Sequence, residues 1–236
     1  MIDNHRREML EEVCVKLSYN FTDLALLDTA LTHSSFVKGE NRAQLHNERM
    51  EFLGDAVLEL CVSKYLYNNY PHMNEGMMTR TRSRAVYEPS LFDAAKKIDL
   101  GRYILLSHGE ENTGGREKPS ILSDALEAVI GAIYLDGGMD NAEKFILSFV
   151  KETIASAIKT VSVKDYKTLL QEYVQHTHKG ELGYTVVGIS GPDHKRVFTM
   201  QVTIGDTVYG FGEGGTKQEA GQNAAKATLE LLNQID

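Results

Sequence analysis

Acidic side chains at helical spacing are the residues of this chain best suited to do chemistry. In the segment HNERMEFLGDAVLEL, residues 46–60, Glu48, Glu51 and Asp55 follow one another at intervals of three and four. At about 100° per residue these three carboxylates share one face of a helix. Like charges at such spacing repel each other by about a few tenths of a kcal/mol per pair. The opposite side of this helix, with Met50, Leu53, Val57 and Leu60, is apolar, so the helix is expected to pack against a core. The acidic pattern fits a solvated face and a cation-binding face equally well.

A second acidic pair, Asp124 and Glu127, lies inside the otherwise apolar segment PSILSDALEAVIGAIYLDGG, residues 119–138. Burying carboxylates is costly unless a cation compensates them, either an Arg or Lys side chain or a divalent metal. Two helices that present carboxylates to one centre supply the oxygen ligands that Mg²⁺ prefers. A metal there would lower the pKa of a bound water and stabilise the leaving oxygen of a phosphodiester. The residues alone therefore point to Mg²⁺-dependent phosphoryl chemistry without identifying a substrate.

The helices that must position these acids occupy the first part of the chain. Apolar residues recur at helical spacing in four segments, and Pro and Gly residues interrupt them. These segments are residues 50–67, 77–97, 121–135 and 140–158. Residues 107–120, SHGEENTGGREKPS, have the composition of a long loop.

The periodicity changes after Lys164. Residues 165–178 have a helical pattern, and three alternating stretches follow: YTVVGIS, VFTMQVTI and DTVYGFGEG. A last helix is predicted over 216–234, with Thr216 as its N-cap and Glu219 completing a capping box. The predicted fold class is α+β multidomain, an all-α domain over 1–160 followed by a small α-β-β-β-α domain over 164–234.

Composition and charge limit the classes of protein that remain. The 236 residues are 42% apolar and 25% charged, which is typical of a globular protein. The net charge is −8, and taken alone it argues against a nucleic-acid partner. Residues 1–160 hold 18 Lys+Arg against 24 Asp+Glu, or −6, and residues 161–236 hold 7 against 9, or −2. Most of the excess acid therefore lies in the helical domain.

Cys14 and Cys61 are too few for a disulfide framework and are expected to be small buried residues. The first residues, MIDNHRREMLEEV, lack the apolar core of a signal peptide. No uninterrupted apolar run approaches the roughly 18 residues of a membrane span. These features predict a soluble, cytoplasmic protein with no membrane partner.

The segment NERMEFLGDAVLEL resembles the signature motif of the bacterial ribonuclease III family, usually written NERLEFLGDAVL, with Met50 as the change. The resemblance extends to LTHSSF, NEGMMTRTRS and GEENTGGREKPSILSDALEAVIGAIYLDGG. The C-terminal part is similar to a double-stranded-RNA-binding domain in DYKTLLQEYVQ, GPDHKRVF and GGTKQEAGQNAAKATLELL. These segments cover nearly the whole chain in the order of the family.

The resemblance implies an endonuclease that cuts double-stranded RNA with Mg²⁺, for which Mn²⁺ can substitute, and needs no small-molecule cofactor. Its products would carry 5′-phosphate and 3′-hydroxyl ends with a short 3′ overhang, and its substrates would be ribosomal-RNA precursors and messenger RNA. By position in the motifs, Glu51, Asp124 and Glu127 would ligate the metal. Asp55 and Glu127 would be the catalytic residues, with Asp55 positioning the attacking water.

Other positions acquire expected roles in the same way. Glu48 and Glu75 match acids that place the substrate, although either could be a plain solvated acid. Phe52 matches an aromatic residue that plugs the partner subunit of a homodimer. The alternative for Phe52 is an ordinary core position beside Leu53 and Val57.

In the second domain the resemblance assigns RNA contacts to two helices and a loop. Gln171, Gln175, His194 and Lys217 are the expected contact residues, and His194 could instead be only a turn residue. Gln218 stands where the family more often has a basic residue. With a net charge of −2, this domain is expected to bind RNA weakly.

Two competing functions remain open from the sequence. One is a double-stranded-RNA-binding regulator that does not cleave, which the four intact carboxylates argue against. The other is an Mg²⁺ phosphohydrolase of small molecules, which would leave the C-terminal domain without a role.

Overall fold

The computed structural model describes residues 2–37, 46–162, 166–177, 180–192 and 195–234, and side chains for all of these except 160–162. The chain divides into two compact units, Met1–Lys159 and Thr160–Asp236. Each unit has its own hydrophobic core. Within the ranges just given, none of the helices is both long and apolar enough to cross a membrane.

The described part of the first unit is helical. Its helices are α1 (Asn4–Leu17), α2 (Leu24–Ala30), α3 (Glu48–Asn69), α4 (Glu75–Ala85), α5 (Glu88–Lys97), α6 (His108–Asn112) and α7 (Pro119–Ser162). The segment predicted as helical over 77–97 thus contains parts of two helices. Pro89 lies in the first turn of α5, where its missing N–H is not needed, and the chain turns just before it.

Helix α7 supplies the centre of the core. Every residue from Ala128 to Ile133 is buried, and α3 contributes Val57, Leu58, Cys61 and Val62. Cys14 and Cys61 are buried free thiols, as the sequence predicted. Leu60 was expected on the apolar side of α3, but it is 56% exposed. The buried face is centred on Val57 and Cys61, so Leu60 falls outside it.

The predicted loop 107–120 is more ordered than its composition indicated. It holds α6, a 3₁₀ turn over Gly115–Glu117 and the start of α7. The Ser107 hydroxyl caps α6 by accepting a hydrogen bond from the Glu110 N–H. Arg116 donates to the Gly101 and Ile104 carbonyls, both at 2.9 Å. These hydrogen bonds fix a segment that has no apolar periodicity.

Helix α7 breaks at Gly138, whose φ of 76° lies in the left-handed region that favours glycine. The predicted segments 121–135 and 140–158 are the two parts on either side. Near the break, Asp136 accepts hydrogen bonds from the Tyr19 hydroxyl at 2.7 Å and from two backbone N–H groups, of Thr22 and Asp23, at 2.9 Å. This carboxylate ties the connection between α1 and α2 to the first part of α7.

The second unit has the predicted α-β-β-β-α order, so the predicted fold class is confirmed. Its elements are α8 (Tyr166–Thr177), β1 (Leu182–Ser190), β2 (Val197–Ile204), β3 (Thr207–Gly214) and α9 (Lys217–Leu231). The strands form one antiparallel sheet in the order β1-β2-β3. Helix α9 packs closely on β3, because a β-carbon on Gly212 would lie 2.0 Å from the Ala224 nitrogen.

The N-terminus of α9 carries the predicted cap. The Thr216 hydroxyl accepts a hydrogen bond from the Glu219 N–H at 3.1 Å. The Glu219 carboxylate accepts a hydrogen bond at 2.9 Å from the N–H of Gly215, one residue before the cap itself. The helix begins at Lys217, as this pattern indicates.

Candidate active site

Helices α3 and α7 cross in backbone contact at two glycines. A β-carbon on Gly54 would lie 1.8 Å from the Glu127 carbonyl oxygen. One on Gly131 would lie 2.4 Å from the Met50 carbonyl oxygen. Only hydrogen atoms fit at these two positions, so the helices approach more closely than any side chain would allow.

The crossing brings three predicted carboxylates together. Glu51 on α3 and Asp124 and Glu127 on α7 each offer an oxygen atom, and these atoms lie within 4.8 Å of one another. All three side chains are half-buried. Asp55 is exposed and does not belong to this group of three, but its charge acts on Glu127.

The surroundings raise the pKa of each clustered carboxyl group. Burial raises the pKa of Glu127 to about 8, with the charges of Asp55, Asp124 and Glu51 adding to the effect. Burial is likewise the main cause of the raised pKa of Glu51, followed by the charge of Asp124. The cluster therefore holds a proton near neutral pH whenever no cation compensates it.

Asp124 has a second set of neighbours. Burial raises the pKa of its carboxyl group, and the nearby charge of Glu88, at the start of α5, raises it further. The neighbouring His33 opposes this rise, and the charge of Glu48 adds to it. The Asp124 side of the cluster is thus influenced by residues from three other parts of the first unit.

These residues fit a hard divalent cation. The donors are carboxylate oxygens, which Mg²⁺ and Mn²⁺ prefer over softer ligands. The charges that shift the pKa of Glu51 and Glu127 all come from other carboxylates. A cation at the centre would offset both their mutual repulsion and their loss of hydration.

Sequence reasoning gave His33 no role, although it lies in the LTHSSF segment. The structure holds its ring in a fixed orientation: Nδ1 is 2.8 Å from the Ser35 hydroxyl and accepts from the Ser35 N–H at 3.2 Å. The Ser107 N–H in turn donates to that hydroxyl at 3.1 Å. A histidine followed two residues later by a serine, in a segment already noted for its resemblance, was the available signal.

The two predicted substrate-placing acids lie in different surroundings. Glu48 is exposed in the first turn of α3, and its charge contributes to the raised pKa of Glu51. Glu75 begins α4 and accepts a hydrogen bond from the Thr79 hydroxyl at 3.0 Å. Glu75 lines a cavity of about 340 Å³ between α3 and α4 and is not among the three clustered acids.

Phe52 is 81% exposed, although it lies one residue after Glu51. In this unit it is not a core residue, so that alternative for Phe52 is wrong. Leu53 beside it is half-buried and Val57 is buried. An aromatic ring so exposed on an otherwise packed helix is typical of a contact surface.

In the second unit the predicted RNA-contact residues that the structure describes are exposed. Gln171 and Gln175 lie one turn apart on α8, and Lys217 is the first residue of α9. His194 lies outside the described residues. Nothing in this unit resembles the carboxylate cluster, since the one such group in the described part of the chain is that of Glu51, Asp124 and Glu127.

Comparisons with known proteins agree with both units. A family model described as ribonuclease-III-like matches residues 23–154, and one described as a double-stranded RNA binding motif matches residues 166–232. Ribonuclease 3 of Caldanaerobacter subterraneus is 45% identical over 224 residues, covering 95% of this chain and 98% of that protein. Ribonuclease 3 of Clostridium beijerinckii is 48% identical over 226 residues, covering 96% and 97%.

A solved structure is similar to the first unit. The nuclease domain of ribonuclease III from Campylobacter jejuni is 46% identical and superposes with a TM-score of 0.57. The match covers 61% of this chain and 97% of that one.

Proposed function

The chain belongs to the ribonuclease III family and is an endoribonuclease, and from that membership we propose that it hydrolyses double-stranded RNA with Mg²⁺. We infer products with 5′-phosphate and 3′-hydroxyl ends and short 3′ overhangs. The observation that supports this most directly is the three-carboxylate cluster at the crossing of α3 and α7.

In this proposal Glu51, Asp124 and Glu127 hold the metal ion, with Mn²⁺ as a substitute for Mg²⁺. When bound, the ion would supply an activated water and stabilise the leaving oxygen. Because burial and the neighbouring carboxylates cause the raised pKa of Glu127, a cation held there would favour its ionised form. We assign to the exposed Asp55, whose charge reaches Glu127, the orientation of the attacking water.

We propose a division of labour between residues 1–160, the endonuclease domain, and residues 164–234, the RNA-binding domain. Gln171, Gln175, His194 and Lys217 would contact the duplex, with polar side chains reading 2′-hydroxyls and Lys217 meeting phosphate. Glu48 and Glu75 would place the substrate near the metal. Their exposure at helix starts supports the assignment.

We further propose that the protein works as a homodimer in which Phe52 inserts into the partner subunit. Its side chain is 81% exposed in the single chain, and burying this apolar ring in a partner would lower the free energy. The Campylobacter jejuni nuclease domain contains a region involved in dimer formation. Phe52→Ala should shift the full chain toward monomer in sedimentation velocity, and an unchanged dimer would refute the insertion.

As cellular substrates we propose ribosomal-RNA precursors and messenger RNA in the bacterial cytoplasm. The support is the similarity to bacterial ribonuclease 3 proteins along nearly the whole chain.

The decisive experiment is to incubate a long RNA duplex with the full chain in Mg²⁺ and in EDTA. Discrete short duplexes should appear only with Mg²⁺. Glu127→Gln should reduce cleavage by about a thousandfold or more while leaving duplex binding intact, since only the metal-bound step needs its charge. Glu8→Gln, an exposed substitution of the same type on α1, is the matched control.

Duplex left intact in Mg²⁺ at low salt would overturn the nuclease assignment and favour a non-cleaving RNA-binding protein. Cleavage by Glu127→Gln at the rate of the unchanged chain would overturn the role of the cluster.

A further inference from the structure

A second cavity lies in the first unit and is lined by none of the four predicted metal-site carboxylates. It has a volume of about 300 Å³ and is enclosed by the end of α1, by α5 and by residues of α7 on both sides of Gly138. Its floor is apolar and includes Leu17, Leu126, Phe145 and Phe149. The size is at the lower end of the range for small-molecule sites.

Three lysines surround this floor. Lys16 comes from α1, Lys97 from α5 and Lys144 from α7, and none of the lining residues is acidic. The neighbouring polar groups are neutral and include Asn141 and Ser148. The chain has a net charge of −8, but the charged residues that line this cavity are three lysines. The cavity should therefore favour negatively charged ligands over positively charged ones.

The contacts of Lys97 and Lys16 leave these two lysines most of their capacity to bind an anion. Lys97 Nζ is 3.8 Å from a Glu152 carboxylate oxygen, but both side chains are well exposed, at 69% and 90%. Exposed pairs of this kind contribute between about 0 and 1 kcal/mol. Lys16 Nζ lies 5.7 Å from the centre of the Tyr103 ring, a weak contact that still leaves its N–H groups able to donate.

We propose that this cavity binds a small amphipathic anion. A flat apolar body of about two fused rings would pack on the phenylalanine floor. Its sulfonate, phosphate or carboxylate group would meet Lys97 and Lys144 at the rim. Contact with the apolar floor supplies most of the affinity, and the lysines select for a ligand that carries a negative charge.

The cavity backs onto the helix that carries the carboxylate cluster. Leu126 forms part of the floor and directly precedes Glu127 in α7. At about 100° per residue, neighbouring side chains leave a helix in different directions. The anion would therefore bind on one side of α7 while Glu127 faces the crossing with α3.

The test is a fluorescence titration of the full chain with 8-anilinonaphthalene-1-sulfonate, an aromatic anion of suitable size. We expect one saturable site per chain. The uncharged analogue N-phenyl-1-naphthylamine should bind at least about tenfold more weakly, as expected when a charge-assisted contact is lost.

Matched double variants separate the cavity from general surface charge. Lys97→Gln with Lys144→Gln should weaken binding of the sulfonate by about tenfold or more. Lys96→Gln with Lys151→Gln removes two charges from the same two helices outside the cavity and should leave the affinity unchanged. Ser148→Trp, which fills the rim without altering charge, should abolish binding of both probes at this site.

Equal affinity for the charged and neutral probes would overturn the proposal. So would equal affinity in the two double variants, or undiminished binding in Ser148→Trp. Thermal melts of each variant by circular dichroism exclude unfolding as the cause of any loss.

Discussion

Three acidic residues of the first unit gather between two helices, whereas the described residues predicted to meet RNA in the second unit lie on exposed helix surfaces. Glu51, Asp124 and Glu127 are half-buried; the charge of Asp124 raises the pKa of Glu51, and the charges of both raise the pKa of Glu127. Gln171, Gln175 and Lys217 are exposed on α8 and α9. A group that shares one buried centre should respond sharply to single changes, and exposed contacts should respond in small, nearly additive steps.

The largest expected effect comes from separating α3 and α7. In Gly54→Ala the new β-carbon would lie 1.8 Å from a backbone oxygen, so the helices must move apart. We expect a loss of about 3 kcal/mol or more in the free energy of unfolding and severe loss of cleavage. Urea unfolding of the full chain and a duplex cleavage assay measure the two effects.

The matched control is Gly76→Ala in α4. Its β-carbon would have the Arg80 guanidinium, at 3.6 Å, as nearest neighbour. That substitution should be neutral or stabilise by up to about 1 kcal/mol. If Gly54→Ala behaved like Gly76→Ala, the close crossing would not set the geometry of the cluster.

A smaller effect should appear in the pH dependence of stability without metal. The pKa of Glu127 in the folded chain is about 8, above its ordinary value of 4.5. Folding therefore favours the protonated form of Glu127. The contribution of this group to the free energy of unfolding is complete below about pH 4.5 and is lost as the pH rises through about 8. In EDTA the free energy of unfolding should fall by about 1–2 kcal/mol between about pH 6 and pH 9, after allowance for partial exposure.

Glu127→Gln should flatten this decline, because glutamine stays neutral over the whole range. Saturating Mg²⁺ should also remove it in the unchanged chain by favouring the ionised cluster. Urea midpoints measured at each pH test both statements. A decline of equal size in Glu127→Gln would show that other groups cause it.

The smallest effects belong to the start of α9, and they sharpen the contrast between the units. Lys217→Ala, made in the Glu127→Gln background to prevent cleavage, should weaken duplex binding by about 1 kcal/mol and lower the salt slope by about one. Gln218→Lys should shift both quantities in the opposite direction. Filter binding at several salt concentrations measures them.

If these two exposed side chains act independently, the double variant with Lys217→Ala and Gln218→Lys should bind the duplex with nearly the original affinity. A change of a hundredfold from either single substitution would mean that these side chains act as a coupled group, as the carboxylates of the first unit do.

Periodicity and local chemistry predicted most of the fold. The carboxylates were found because acids three and four residues apart repel each other on a helix unless a cation compensates them. Thr216 was found because an N-cap depends only on neighbouring residues. Leu60 was misplaced because periodicity fixes a helical face only to within a residue. The order in 107–120 was missed because Arg116 reaches carbonyls up to 15 residues away, which no local pattern reveals.

The geometry of the cluster lay beyond sequence reasoning for a similar reason. Gly54 and Gly131 are 77 positions apart in the sequence. Only the tertiary structure shows that a side chain at either position would collide with the backbone of the other helix. The influence of His33 and Glu88 on Asp124 depends on the same packing.

The glycine crossing also fixes the positions of the clustered carboxyl groups before any ion binds. Because α3 and α7 touch backbone to backbone, the carboxylates cannot relax by drawing their helices apart without unpacking Leu58 and Ile130 in the core. The carboxyl groups are therefore brought together during folding, with Glu127 protonated near neutral pH as long as no cation is bound. The cation that we propose for this cluster would enter a preorganised site, and little loss of conformational entropy would oppose its binding.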